Sequence, residues 1–198
     1  MNPDFVRHCN HCGHAVDYRL PEGDHLPRHI CPACEHIQYF NPRVIVGVIP
    51  EAEDGRLLLC RRNIEPRKGL WTFPAGFMEL DETTAEGAAR EAREEAEADV
   101  QVLDLLTVIN VPYVSQVYMV HRGRLRSLHH APTPESIETR LVSEAEIPWD
   151  RIAFPTVWHS LRHFLADRAA GAFRIHSFTL RRPAGASGLA VEATTTAP

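Results

Sequence analysis

The stretch from Gly76 to Ala98, GFMELDETTAEGAAREAREEAEA, decides how this chain is read. From Thr83 to Ala96 the small residues Ala85, Ala88, Ala89, Ala92 and Ala96 recur at helical spacing, which predicts a helix with one face made for close packing. Thr83 followed by Glu86 fits a capping box, in which each residue satisfies an amide that the helix start leaves unpaired. Glu91, Glu94 and Glu95 stand at i, i+3 and i+4, so they are expected to project from nearly one face, opposite the alanines. Like charges at that spacing cost about 0.2 to 0.5 kcal/mol per pair, and a bound cation would relieve them.

Clustered carboxylates are what the hydrolysis of a nucleotide diphosphate needs. Metal ions must neutralise the phosphate charge and a base must activate water. All-oxygen ligands favour Mg2+ or Mn2+. The competing reading is a solvated helix laced by ion pairs, since Glu86, Arg90 and Glu94 form an i, i+4 ladder and Arg93 reaches Glu97. The preceding residues favour the first reading. Pro74-Ala75-Gly76 and the polar turn from Leu80 to Glu82 make a loop that delivers the chain into the helix.

Outward from this segment, Val44 to Ile49 and Leu57 to Cys60, with the turn signal Glu53-Asp54-Gly55 between them, predict a hairpin feeding a sheet. Further strands are expected at Val100 to Ile109, Ser115 to His121, Ile137 to Val142 and Phe173 to Leu180. A second helix is expected from Thr156 to about Ala170, between Pro155 and Gly171. Trp71 and Phe73 could stack on a base or pack their strand beneath the helix. Arg61 and Arg62, at the end of an apolar strand, could contact phosphate or ribose or lie on the surface. With Gly76 in the loop, Trp71, Arg61 and Arg62 are the substrate-binding candidates.

The first forty residues form a different text, rich in Cys, His and Pro and poor in aliphatic side chains. Cys9 and Cys12 make one C-x2-C pair and Cys31 and Cys34 another, 18 residues apart, the spacing of a four-cysteine zinc ribbon. Four thiolates complete a tetrahedral Zn2+ and leave no position for water, so this metal is expected to fold the module and not to catalyse. The expected organisation is a zinc ribbon at 1–40, a catalytic domain at 41–182 and a disordered tail at 183–198, rich in Ala, Gly, Thr and Ser.

The 198 residues carry a formal charge of -5 and a pI near 6.2, which removes the general attraction to phosphate backbones, so nucleic acid is not the leading partner. No stretch approaches the roughly 18 apolar residues of a membrane span, and the N-terminus has no apolar core of a signal peptide. Close cysteine pairs point to metal in a reducing compartment. A soluble cytoplasmic protein is expected.

Gly76, five residues, Glu82, seven residues, then Arg90-Glu91-Ala92-Arg93-Glu94-Glu95 resembles the Nudix box, G-x5-E-x7-R-E-U-x-E-E-x-G-U. The departure is Glu97 at the last glycine, where a left-handed helix end makes a Cβ costly by about 1 kcal/mol. Arg43 to Val48, Leu57 to Asn63, Gly69 to Gly76 and Pro134 to Phe154 resemble the plant plastid-type FAD and ADP-ribose pyrophosphatases, which also carry a zinc ribbon. The resemblance implies an α/β/α sandwich around a mixed sheet. It implies Glu91, Glu94 and Glu95 as holders of Mg2+ or Mn2+, Arg90 orienting them and Glu82 assisting, with the base open among the glutamates. Glu138 matches a position where many Nudix enzymes place another acid, which makes it the candidate for an extra metal ligand or base, and it reads equally as an exposed strand residue. The implied substrates are FAD and ADP-ribose, with a homodimer as an option. Two alternatives remain. One is a nucleotide sensor whose ribbon recruits a partner or DNA. The other is an NADH pyrophosphatase, although that group's S-Q-P-W-P-F-P-x-S signature is replaced by Val111-Pro112-Tyr113-Val114-Ser115.

Overall fold

The computed structural model describes residues 6–182 and 189–193. The chain divides into two compact units, residues 1–41 and 42–198. In the first, β1 (Asp17–Arg19), β2 (Arg28–Ile30) and β3 (Ile37–Gln38) form an antiparallel sheet in that order. The cysteine pairs lie in turns around it, and Ile30 with His29 supplies buried side chains.

The second unit is built on a mixed sheet. Its strands are β4 (Arg43–Glu51), β5 (Leu57–Arg62), β6 (Trp71–Thr72), β7 (Ala75–Phe77), β8 (Val100–Val111), β9 (Gln116–Leu125), β10 (Ser136–Val142), β11 (His176–Arg181) and β12 (Ala190–Ala193). The order is β10-β5-β4-β9-β8-β11-β12, with β6 on β5 and β7 on β4. The β4–β9 and β8–β11 pairs are parallel. Helix α1 (Thr84–Ala96) and helix α2 (Pro155–Ala170) cover the sheet.

Strand alternation explains the sandwich. Along β4 and β5, Val46, Val48, Leu58 and Cys60 pack with Ala88, Ala92 and Ala96 of α1. Ile49, Leu57 and Leu59 pack instead with Val157, Leu161, Phe164 and Leu165 of α2. Successive strand residues point to opposite faces, so a continuous apolar run buries one helix on each side. The alanine stripe lets α1 lie close to the sheet. At Gly87 a Cβ would come within 2.8 Å of Val46 Cγ2.

The expected β4–β5 hairpin is only partly formed. The two strands pair at Glu51–Leu57; beyond that, β4 takes β7 and β5 takes β6 as partners. The box loop is thereby wedged into the sheet. Gly47 permits the wedge, because a Cβ there would sit 2.7 Å from the Ala75 Cβ.

Helix α2 starts at Pro155, whose missing N–H costs nothing in the first turn, and ends at Gly171 with φ 69°. A hydrogen bond of 3.0 Å between the buried hydroxyls of Thr107 and Ser160 ties α2 to β8. The last expected strand begins three residues later than Phe173, at His176. The tail, expected to be disordered, contains β12, which pairs antiparallel with β11; residues 183–188 and 194–198 lie outside the described residues. No described helix is long and apolar enough to cross a membrane.

Candidate active site

The site starts where β7 feeds α1. Thr83 caps the helix reciprocally with Glu86: the Glu86 amide donates to Thr83 Oγ1 at 3.2 Å and the Thr83 amide to Glu86 Oε2 at 2.8 Å. At the other end, Glu97 adopts φ 52°, ψ 24°, and its amide donates to the Arg93 carbonyl while that of Ala98 donates to Ala92. The helix thus stops at the expected position in left-handed backbone, with a glutamate doing what glycine does more cheaply.

Arg90 is the hub. Its Nε and Nη2 grip both oxygens of Glu82 at 3.0 and 2.8 Å. Its Nη1 donates to Glu91 Oε1 and to Glu94 Oε2, each at 2.8 Å, and Nη2 also donates to the Phe77 carbonyl at 3.0 Å. One planar guanidinium therefore fixes the loop acid, two helix acids and the loop backbone together. Arg90, and after it the Glu79 amide, holds the Glu82 carboxyl down at about 2.

The three helix acids are not equivalent. Glu94 is exposed, but Glu91 and Glu95 retain only 7% and 4% of their accessible surface. Burial pushes Glu91 up despite Arg90, and pushes Glu95 up to about 8 despite the 3.0 Å bond from the Ala75 amide. Two desolvated carboxylates one turn apart, beside one arginine, make an oxygen donor set whose charge a hard divalent cation would balance. The residues fit such an ion.

A further acid, missed in the sequence, stands nearby. Glu135 raises both Glu91 and Glu95 by its charge. The loop that carries it is strapped to the end of α1: the Ala131 amide donates to the Ala96 carbonyl at 2.9 Å and the Thr133 hydroxyl to the Glu95 carbonyl at 3.3 Å. The Asn63 amide donates to the Glu135 carbonyl at 2.8 Å. No local pattern could have singled it out, because its placement depends on how a distant loop packs.

Glu138, the acid chosen from sequence, is paired with arginines of the sheet. It faces Arg61 across the β5–β10 ladder, 3.6 Å from Arg61 Nη1 and 2.6 Å from Arg140 Nη2. Arg61, Trp71 and Glu138 line a cavity of about 200 Å³ with Arg140 and Arg151. Trp71 is 5% exposed and part of the core beneath α2, with the Arg140 guanidinium over its ring. Arg62 separates from Arg61: it is buried, its Nε donates to the Pro66 carbonyl at 3.0 Å, and it lies over the Phe154 ring near Glu95. Gly76 meets the site directly, since a Cβ there would overlap the Glu91 carboxylate.

In the first unit, the sulfurs of Cys9, Cys12, Cys31 and Cys34 lie within 4.8 Å of one another, and among the described residues no other group of three or more metal-ligand side chains converges so closely. Each pair sits in a tight turn: the Gly13 amide donates to the Cys9 carbonyl and the Glu35 amide to Cys31, with φ 77° at Gly13 and 59° at Glu35. This is the donor set of a closed, structural metal site.

Known proteins divide the chain in the same way. The NUDIX domain family matches residues 41–170, and the Nudix N-terminal zinc-ribbon family matches residues 7–40. A crystal structure of a NUDIX hydrolase from Nitrosomonas europaea superposes with a TM-score of 0.83 and 48% identity, covering 88% of this chain and 99% of that one. The NAD-capped RNA hydrolase NudC of Edwardsiella ictaluri is 33% identical over 115 residues, 57% of this chain and 42% of that protein. The ADP-ribose pyrophosphatase of Methanocaldococcus jannaschii is 39% identical over 74 residues, 37% of this chain and 43% of that protein. The matches thus span less than half of these two relatives' length.

Proposed function

This chain belongs to the Nudix family, and on that premise we propose that it hydrolyses the diphosphate bond of a nucleoside diphosphate linked to another group, with FAD and ADP-ribose as the leading substrates. The observation that carries this reading is the gathering of Glu82, Glu91 and Glu94 around the Arg90 guanidinium beside the Gly76 loop, with Glu95 one turn beyond Glu91 on the Ala75 amide. Mg2+ or Mn2+, when bound, supplies neutralisation of the diphosphate and activation of water. Glu91, Glu94 and Glu95 would hold it, with Glu135 adding a carboxylate from across the helix end in place of Glu138. Arg90 keeps Glu82 and the loop carbonyl of Phe77 in register with the helix. In the reaction, a water oxygen bonds to one phosphorus as the bridging P–O bond breaks, giving AMP plus FMN or ribose 5-phosphate. Zn2+ in the four-cysteine set serves the fold of the first unit.

A second reading is an NADH-type pyrophosphatase, favoured by the similarity to the NAD-capped RNA hydrolase and opposed by the missing signature after Val111. A nucleotide sensor needs only to bind, and the full set of box carboxylates argues against it. The test is kcat/KM, with products identified, for FAD, ADP-ribose, NADH, diadenosine polyphosphates and nucleoside triphosphates with Mg2+ and with Mn2+. FAD or ADP-ribose is expected to lead. NADH or a triphosphate ahead by about tenfold, roughly 1.4 kcal/mol, overturns the substrate assignment, and no turnover of any of them returns the sensor.

A further inference from the structure

A second group of polar side chains, which the box does not use, lies around the start of α2. This helix, sixteen residues long, begins with no side chain capping its first turn, since its N-cap is Phe154 and its first residue Pro155. The Thr156 and Val157 amides therefore point out of the helix start unpaired by any side chain. The Thr156 hydroxyl is 4% exposed and makes no hydrogen bond. It lies close enough to Tyr118 to counter the upward push of burial on that phenol, without completing a hydrogen bond to it; the Tyr118 hydroxyl instead donates to Gln116 Oε1 at 3.2 Å.

Arg62 joins this group from β5. It is 8% exposed, has no carboxylate within ion-pair distance among the described residues, and spends only its Nε on a backbone carbonyl. Its guanidinium lies 5.2 Å from the centre of the Phe154 ring, at the N-cap of α2, and its charge is felt by both Glu95 and Tyr118. These groups are of one kind: an arginine fork, a helix N-terminus and a buried hydroxyl with no partner. A set made of donors and positive charge selects an anion, and its planar fork suits phosphate oxygens.

We propose that Arg62, Thr156 and the first amides of α2 form a phosphate-binding subsite that grips the substrate's diphosphate beside the box carboxylates. The subsite rests on the reading of the substrate as a nucleotide diphosphate and adds the residues that hold its anionic end without metal. Neither Thr156 nor the α2 N-terminus carries a sequence motif; their convergence with Arg62 exists only because β4 and β5 part after Glu51–Leu57.

The test is calorimetric binding to the full-length protein without added divalent metal, comparing AMP with adenosine and ribose 5-phosphate with ribose. In the unaltered protein at least one phosphate is expected to strengthen binding by about tenfold. Arg62→Gln should abolish that advantage and Thr156→Val should cut it about threefold, with binding of the phosphate-free partner unchanged. Thr156→Val is nearly isosteric and keeps the test decisive if Arg62→Gln fails to fold. No phosphate advantage in either pair, or an advantage untouched by Thr156→Val and by any folded Arg62→Gln, overturns the subsite. The substrate panel fails separately: an intact phosphate advantage with no turnover of FAD or ADP-ribose removes that substrate assignment and keeps the subsite.

Discussion

The carboxylate of Glu91 occupies the space that a Cβ at Gly76 would need. The first residue of the box is a glycine because the helix acid, fifteen residues later in the chain, lies against its backbone. Loop and helix are thus one unit, closed by Arg90 between Glu82, Glu91 and Glu94.

Gly76→Ala should therefore displace Glu91 and lower kcat by about 100-fold, as small misplacements of reacting groups do, while the melting temperature changes little. Steady-state kinetics beside a thermal melt check it. An alanine enzyme of normal rate would show that Glu91 need not sit where it does.

Glu135 and Glu138 make opposite predictions although three residues apart. Glu135→Gln should weaken Mn2+ binding, followed by electron paramagnetic resonance, by about tenfold. Glu138→Gln breaks partly exposed ion pairs with Arg61 and Arg140 and should cost less than about 1 kcal/mol of stability with metal affinity kept. The reverse ranking would restore Glu138 to the site.

At Glu97 the left-handed backbone decides the sign. Glu97→Gly should stabilise the protein by about 1 kcal/mol, a rise in melting temperature of about 2 to 4 °C. The lost contact with His129, 3.6 Å away and exposed on both sides, offsets little of this. A fall in melting temperature would mean that the glutamate side chain holds the helix end.

His163 on α2 stacks on His176 of β11 with ring centroids 4.0 Å apart, and His176 bonds Asp167 at 2.8 Å. Burial, and then the neighbouring charges of His176 and His159, hold His163 down at about 4, against about 6.5 in an unfolded chain. Between those values the unfolded state takes up a proton that the folded state refuses, so this contribution to stability is complete above about pH 6.5 and declines as pH falls towards 4. Asp167 acts in the same direction lower down: although burial works against it, its bonds to His176 and the Arg174 amide keep its carboxyl below the usual value. Urea unfolding from pH 7 to 4 should show a shallower decline for His163→Gln than for the unaltered protein. Parallel declines would exclude His163.

The four-cysteine set should carry one tightly held zinc per chain, because the first unit has few apolar side chains to bury and metal binding supplies folding energy. Elemental analysis after a chelator wash tests this, and an absence of zinc removes the assignment. Cys31→Ser should unfold that unit and leave the secondary structure of the second unit in place.

Some of this molecule was legible from residue order alone. The helix from Thr84 to Ala96, its Thr83–Glu86 cap, its alanine stripe and the cysteine pairs are local patterns, fixed by turn spacing and hydrogen bonds between near neighbours. The sandwich was implied by the resemblance of the box and its flanks, and the structure shows the apolar strands covered on both faces. Tertiary structure alone decided the rest. It buried Glu91 and Glu95 while leaving Glu94 in solvent, set the Glu135 charge against both, paired Glu138 with Arg61 and Arg140, and turned Trp71 into core. It also sent Arg61 and Arg62 to different sites and set Thr156 beside Tyr118. Those outcomes depend on strand register, on a loop wedged between β4 and β5, and on which face of the sheet each neighbour reaches. Such long-range contacts leave no periodicity in the sequence, because the residues that make them are far apart in the chain.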